Sequence, residues 1–156
     1  MAQTRLPIYY QGLGVPDTLE GRFAVLALNL FAVLHRLKGA GDEAAPTAQG
    51  LADRFASDME TVLREIGTSD LKVPKKVRKL VSQGASVIGG YEQAFAQGRD
   101  ALSQQIVQSL PLDEPQALAA SARLTPYILD TIETLDQQPL GLIYQGEIDF
   151  PAIERE

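Results

Sequence analysis

The residues best placed to do chemistry in this chain are cations. Lys72, Lys75, Lys76, Arg78 and Lys79 fall within the ten residues LKVPKKVRKL, and they include four of the five lysines of a 156-residue protein whose net charge is −6. Pro74 marks a helix start there, because its ring pre-sets φ and its missing N–H is not needed in a first turn. A helix N-terminus carries partial positive charge and favours Asp or Glu. Crowding it with ammonium groups runs against that preference. One reading is a solvated face offset by Glu65 and Asp70 nearby in the chain. The other is an anion-facing patch, in which exposed N–H groups of the first turn reinforce attraction to phosphate or carboxylate. Such a patch suits ribosomal RNA, anionic lipid headgroups or an acidic protein partner.

Other chemistry is scarce. There is no cysteine, which removes disulfides, thiolate catalysis and Cys-based metal sites. His35 is the single histidine. Its plain reading is a hydrogen-bonded residue near a helix C-terminus, and the alternative is a haem or metal ligand. Glu65 and Asp70 read as capping and charge balance, or else as a polar anchor for a partner. Tyr9 and Tyr10 read as cover for an edge of the core, with partner recognition as the alternative. Gly12-Leu13-Gly14 precedes no βαβ unit and is followed by Pro16, so it reads as a turn and not a dinucleotide fingerprint. No P-loop, HExxH or GxSxG motif is present. The expectation is therefore no catalytic residues, no metal and no cofactor. The acidic balance argues against a general nucleic-acid binder while leaving room for a local basic patch, and no specific DNA partner is expected.

The elements that must position these residues are helices. Asp17, with Glu20 three residues on, fits a capping box and predicts a helix to about Lys38, stopped by Gly39 and Gly41. Phe23, Leu26, Leu30, Leu34 and Leu37 form one stripe of it, and Val25, Leu28, Phe31 and Val33 carry the apolar surface nearly all round, as in the buried centre of a domain. Asn29 interrupts that surface, and the stretch is well short of the roughly 20 residues that cross a bilayer. Thr47 is a plausible cap for a second helix ending at Gly67, with Leu51, Phe55, Met59, Val62 and Ile66 inward. A third helix runs from Pro74 with Val77, Leu80, Val81, Ala85, Ile88, Tyr91 and Phe95 inward. Its Gly84, Gly89 and Gly90 allow close helix contact or a kink. A fourth spans about Arg99 to Leu110. A fifth opens at Pro115, buries Leu118, Ala122, Ile128, Ile132 and Leu135, and bends or divides at Pro126. Leu142, Tyr144, Ile148 and Phe150 read as extended, a strap over the bundle. The expected fold is all-α: one domain over residues 1–156, with about five helices and an extended C-terminal strap. With no signal-peptide core at the N-terminus and no transmembrane segment, the expected location is cytoplasmic, with peripheral contact at the inner face of the membrane where the lysines meet lipid.

Two motifs resemble a known family. Asp17, Gly21, Arg22 and Phe23 make a D-x-x-x-G-R-F opening to the apolar run. Arg64, Glu65, Gly67, Asp70 and Leu71 make an R-E-x-G-x-x-D-L core followed by the lysines. Together they are similar to the ubiquinol–cytochrome c chaperone family, assembly factors for the cytochrome bc1 complex. The resemblance covers roughly Tyr9 to Phe95 and, more weakly, YQGEIDFPAI, and it is to the short bacterial form. Val87-Ile88-Gly89-Gly90 departs from the aromatic-Tyr-Gly-Arg element common in the family's third helix. The resemblance implies an all-α, non-enzymatic chaperone acting on newly made apocytochrome b, and in mitochondrial members docking near the ribosomal tunnel exit. On that view the partner-binding residues are Lys72, Lys75, Lys76, Arg78 and Lys79, and the apolar surface of the first helix shelters the client. The runner-up is an adaptor that uses the same lysines to bind the ribosome or an anionic surface without a cytochrome client.

Overall fold

A computed structural model describes residues 2–153. It contains six α-helices among the described residues and no strand: α1 Leu19–Lys38, α2 Ala45–Glu65, α3 Val73–Gln97, α4 Arg99–Ser109, α5 Glu114–Gln137 and α6 Leu140–Tyr144. A π-helical turn, Ile8–Gly12, precedes them. All five helices expected from periodicity are present.

α1 is the centre. It packs against α2, α3 and α5, and α4 closes the space between α3 and α5. Twelve of its twenty residues are buried, which is what an all-round apolar helix requires. Val25, Leu28, Phe31 and Val33 join α5, α3 and α4 residues in the main cluster, while Leu26 and Leu30 meet Phe55, Met59 and Val62 of α2 in a second one. Most of the apolar surface of α1 is thus enclosed by its own bundle, with Leu19, Phe23 and Leu34 half-buried, which corrects the expectation that it is left over for a client.

The α1 cap is Thr18 and not Asp17. Thr18 is extended (φ −119°, ψ 174°) and its hydroxyl accepts from the Gly21 N–H, while Asp17 binds Arg22 instead. Gly21 is required here by contact: a Cβ would come within 1.7 Å of the Pro16 carbonyl oxygen, which is backbone and cannot yield. α2 starts earlier than Thr47, at Ala45, with Pro46 in its first turn. It ends on Gly67, whose φ of +85° lets Thr68 N–H reach back to the Leu63 carbonyl. Ile66, expected inward, is 54% exposed.

α3 runs through Gly84, Gly89 and Gly90 as one element. Close contact is what two of them serve. A Cβ on Gly84 would stand 2.9 Å from the Phe55 ring, and one on Gly90 2.9 Å from the Gln105 amide. Tyr91 on α3 and Ile128, Ile132 and Leu135 on α5 are buried as expected, whereas Ala85, Leu118 and Ala122 are exposed and their neighbours Gly84, Ala117 and Ser121 are buried instead. α5 likewise continues through Pro126 as one helix. Proline removes one ladder bond, to Ala122, and Ala122 lies on the exposed side, where its carbonyl can turn to water.

The C-terminal strap is part helix. Leu142 and Tyr144 lie in α6, and only the chain beyond it is irregular. Ile148, Phe150 and Ile153 then pack on the core. Gln138 fastens the strap, donating to the Glu147 carbonyl at 2.6 Å and accepting from the Asp149 N–H at 3.1 Å.

Candidate functional site

The two sequence motifs, more than forty residues apart, meet in space. Arg22 donates through Nε to Asp17 Oδ1 at 2.8 Å and through Nη1 to Glu65 Oε2 at 2.7 Å. Those two carboxylates hold its guanidinium above the ordinary arginine value, the Asp17 bond first. Arg64, at the end of α2, binds Glu60 at 3.0 Å and also Asp70 of the following loop. The start of α1, the end of α2 and the entry to α3 are thereby drawn together at one end of the bundle.

This arrangement decides the status of the lysines. Glu65 and Asp70, the acids nearby in the chain, are each engaged by an arginine, while Glu20 shares a hollow with Lys76 and Lys79 and pairs with neither. Lys72, Lys75, Lys76, Arg78 and Lys79 are all exposed, and none forms an ion pair with a described carboxylate. The four lysines fall at i, i+3, i+4 and i+7, within about 100° of one another round the helix. Arg78 lies to one side of that stripe. Lys72 is the α3 N-cap and Pro74 sits in its first turn. Ahead of them the loop presents Leu71 at 96% exposure. Chemically this end of the molecule is a row of cations without ion-pair partners among the described residues, on one helix face beside an exposed leucine.

Two hollows adjoin it. One, of about 390 Å³, lies between the N-terminal segment, α1 and α2, with Tyr10, Asp17, Arg22, Asp58 and Glu65 in its wall. Its carboxylates are held by arginines: Asp17 and Glu65 by Arg22, and Asp58 Oδ1 by Arg54 at 3.3 Å. Asp58 Oδ2 is buried without a hydrogen-bond partner, and burial pushes that carboxyl's pKa up. The second, about 840 Å³, lies between α3, the start of α1 and the end of α4, and includes Lys76 and Lys79.

The remaining sequence candidates are structural. His35 Nδ1 sits 2.6 Å from Glu92 Oε1 of α3 and its ring lies edge-on to Phe95, centroids 4.8 Å apart. Among the described residues no three His, Asp or Glu side chains come together as metal ligands. Tyr9 covers the core as expected, but it is completely buried and its hydroxyl is not wet. Tyr9 and Tyr127 share Asn29: Tyr127 donates to Asn29 Oδ1 at 2.6 Å, and Asn29 Nδ2 donates to the Tyr9 hydroxyl at 3.2 Å and to the Val25 carbonyl at 2.9 Å. Desolvation drives the Tyr127 hydroxyl well above the ordinary tyrosine range, so it stays protonated as a donor. Asn29 was visible in the sequence as a polar break in an apolar run. Glu92 and Tyr127 carried no local signal.

The described fold is an all-α bundle with a row of cations, none in an ion pair with a described carboxylate, beside an amphipathic hollow. The chain belongs to the Ubiquinol-cytochrome C chaperone family, whose sequence model matches residues 11–150 and so takes in both motifs and all five cations. It is also similar to the Cbp3 homolog from Brucella abortus, known from a crystal structure, with 31% sequence identity and a TM-score of 0.80 over 97% of this chain and 84% of that one. No curated protein sequence matches it significantly. Among the described residues no helix is long and apolar enough to cross a membrane.

Proposed function

We propose that this protein is a non-enzymatic assembly chaperone of the cytochrome bc1 complex that binds newly made cytochrome b, docking through Lys72, Lys75, Lys76, Arg78 and Lys79. Family membership over residues 11–150 carries the chaperone reading. The cations support the docking face, because Arg22 and Arg64 hold Glu65 and Asp70, the acids nearby in the chain, and leave the stripe able to attract negative charge from a partner. On this reading the protein's contact with the membrane in which cytochrome b matures is peripheral, from the cytoplasmic side. The test is genetic and biochemical. Affinity capture from membranes of the native cell recovers apocytochrome b, and deletion lowers the assembled bc1 complex. Unchanged complex levels in a clean deletion defeat the proposal.

The same lysines favour a second reading, an adaptor for the ribosome or an anionic surface without a cytochrome client. It requires co-sedimentation with ribosomes whether or not cytochrome b is being synthesised. Loss of that binding when cytochrome b synthesis stops favours the chaperone.

A further inference from the structure

The lysine stripe does not end in open solvent. Gln83 and Val87 lie at i+4 and i+8 from Lys79, so they continue the same face of α3. That face forms one wall of the 840 Å³ groove, whose opposite wall is the end of α4 with Gln105 and Gln108. Phe23, Leu80 and Val87 are half-buried in it and Leu110 is buried. Lys76 and Lys79 stand at its mouth, on consecutive turns, and neither forms an ion pair with a described carboxylate; Glu20 at the start of α1 is the one acid among the lining residues, so the groove keeps a positive balance. An apolar floor, amide side chains along one wall and a pair of free ammonium groups at the mouth form a composite surface.

We infer that this groove seats an acidic amphipathic helix of a partner protein, its apolar stripe on Phe23, Leu80 and Val87 and its carboxylates on Lys76 and Lys79. The inference rests on the docking role proposed above and names the chemistry of the docked segment. Charge complementarity selects the sign of the ligand, since two lysines one turn apart match carboxylates at i and i+3 or i+4 on a facing helix. The apolar floor selects the class. Phosphates of RNA use the lysines but leave the apolar floor unsatisfied. A bilayer surface meets the lysines, but its headgroups do not enter a concavity whose apolar side chains lie half-buried between helices.

The test uses the full chain and a synthetic 16-residue helical peptide with leucines at i, i+3, i+4 and i+7 flanked by glutamates, followed by fluorescence anisotropy. Two variants address the two halves of the site: Lys76→Glu with Lys79→Glu at the mouth, and Val87→Arg in the floor, each first shown to melt like the parent. The inference requires binding to the parent, at least tenfold weaker binding to either variant, and at least tenfold weaker binding of a peptide with glutamine in place of glutamate. No binding to the parent at 1 mM peptide, or equal binding to the Val87→Arg variant, overturns it. So does binding confined to vesicles with 30% anionic lipid or to a 20-nucleotide RNA and sensitive to the lysines alone. Self-association of the parent that Val87→Arg abolishes points to a second copy as occupant and also overturns it. Because the peptide shares no sequence with cytochrome b, a negative result strikes the groove and leaves the client reading to stand or fall on the capture experiment.

Discussion

Arg22 Nη1 lies 2.7 Å from Glu65 Oε2, tying the first turn of α1 to the last turn of α2. The pair is more than half exposed on the glutamate side, so its contribution to stability is small, about 0.5 kcal/mol. Its larger effect is on charge. While Arg22 holds Glu65, that carboxylate is unavailable to the cations entering α3. An Arg22→Gln variant should melt within a degree or two of the parent, yet elute from a heparin column at lower salt. Adding Glu65→Gln should restore elution. If the double variant elutes no later than Arg22→Gln alone, the pair does not protect the stripe.

Replacing Lys72, Lys75, Lys76 and Lys79 with glutamate should leave the fold intact. Exposed helix-surface changes are each worth about 0.5 kcal/mol or less, and glutamate in a first turn complements the helix dipole. Binding to a polyanion should be lost, together with the steep fall of affinity with salt that counterion release gives the parent. Melting far below the parent would make the lysines structural. An unchanged salt slope would make them an ordinary solvated face.

Two glycines of α3 should respond in opposite directions. At Gly89 a Cβ meets nothing within 4 Å, so Gly89→Ala should stabilise by about 0.5–1 kcal/mol through helix propensity. At Gly84 a Cβ would press on the Phe55 ring at 2.9 Å, with other ring atoms close behind, so Gly84→Ala should destabilise by about 1–3 kcal/mol. Chemical denaturation of the two variants reads both signs.

Asp58 gives a pH dependence. Desolvation, the main influence on it, raises its folded pKa above the unfolded one, so the folded state holds the proton to higher pH. Its buried charge therefore costs stability above the folded pKa, and that cost disappears as pH falls through it. An Asp58→Asn variant should melt higher than the parent at pH 8, with the gap closing towards pH 4. A gap that widens on acidification would mean that the Arg54 pair outweighs burial.

Local chemistry wrote much of this molecule directly into its sequence. The all-round apolar run of α1 dictates a central helix, because no surface position can accept it. Pro74 and the i, i+3, i+4, i+7 spacing of the lysines place those charges on one face of a helix before any fold is known, since both rest on contacts within two turns. Helix ends were blurred by a residue or two, as at Thr18, because neighbouring polar residues compete for one cap and the winner depends on what binds the other. The tertiary structure alone decided the rest. Whether the lysines are neutralised depended on Arg22, 43 residues before Glu65, reaching it first. His35 met Glu92 across 57 residues, and Tyr9, Asn29 and Tyr127 were brought together from three separate segments. The groove exists only because α4 turns back along α3. Side-chain periodicity encodes which face of a helix is apolar or charged, but which charges and hydroxyls meet across helices is settled by how those faces pack.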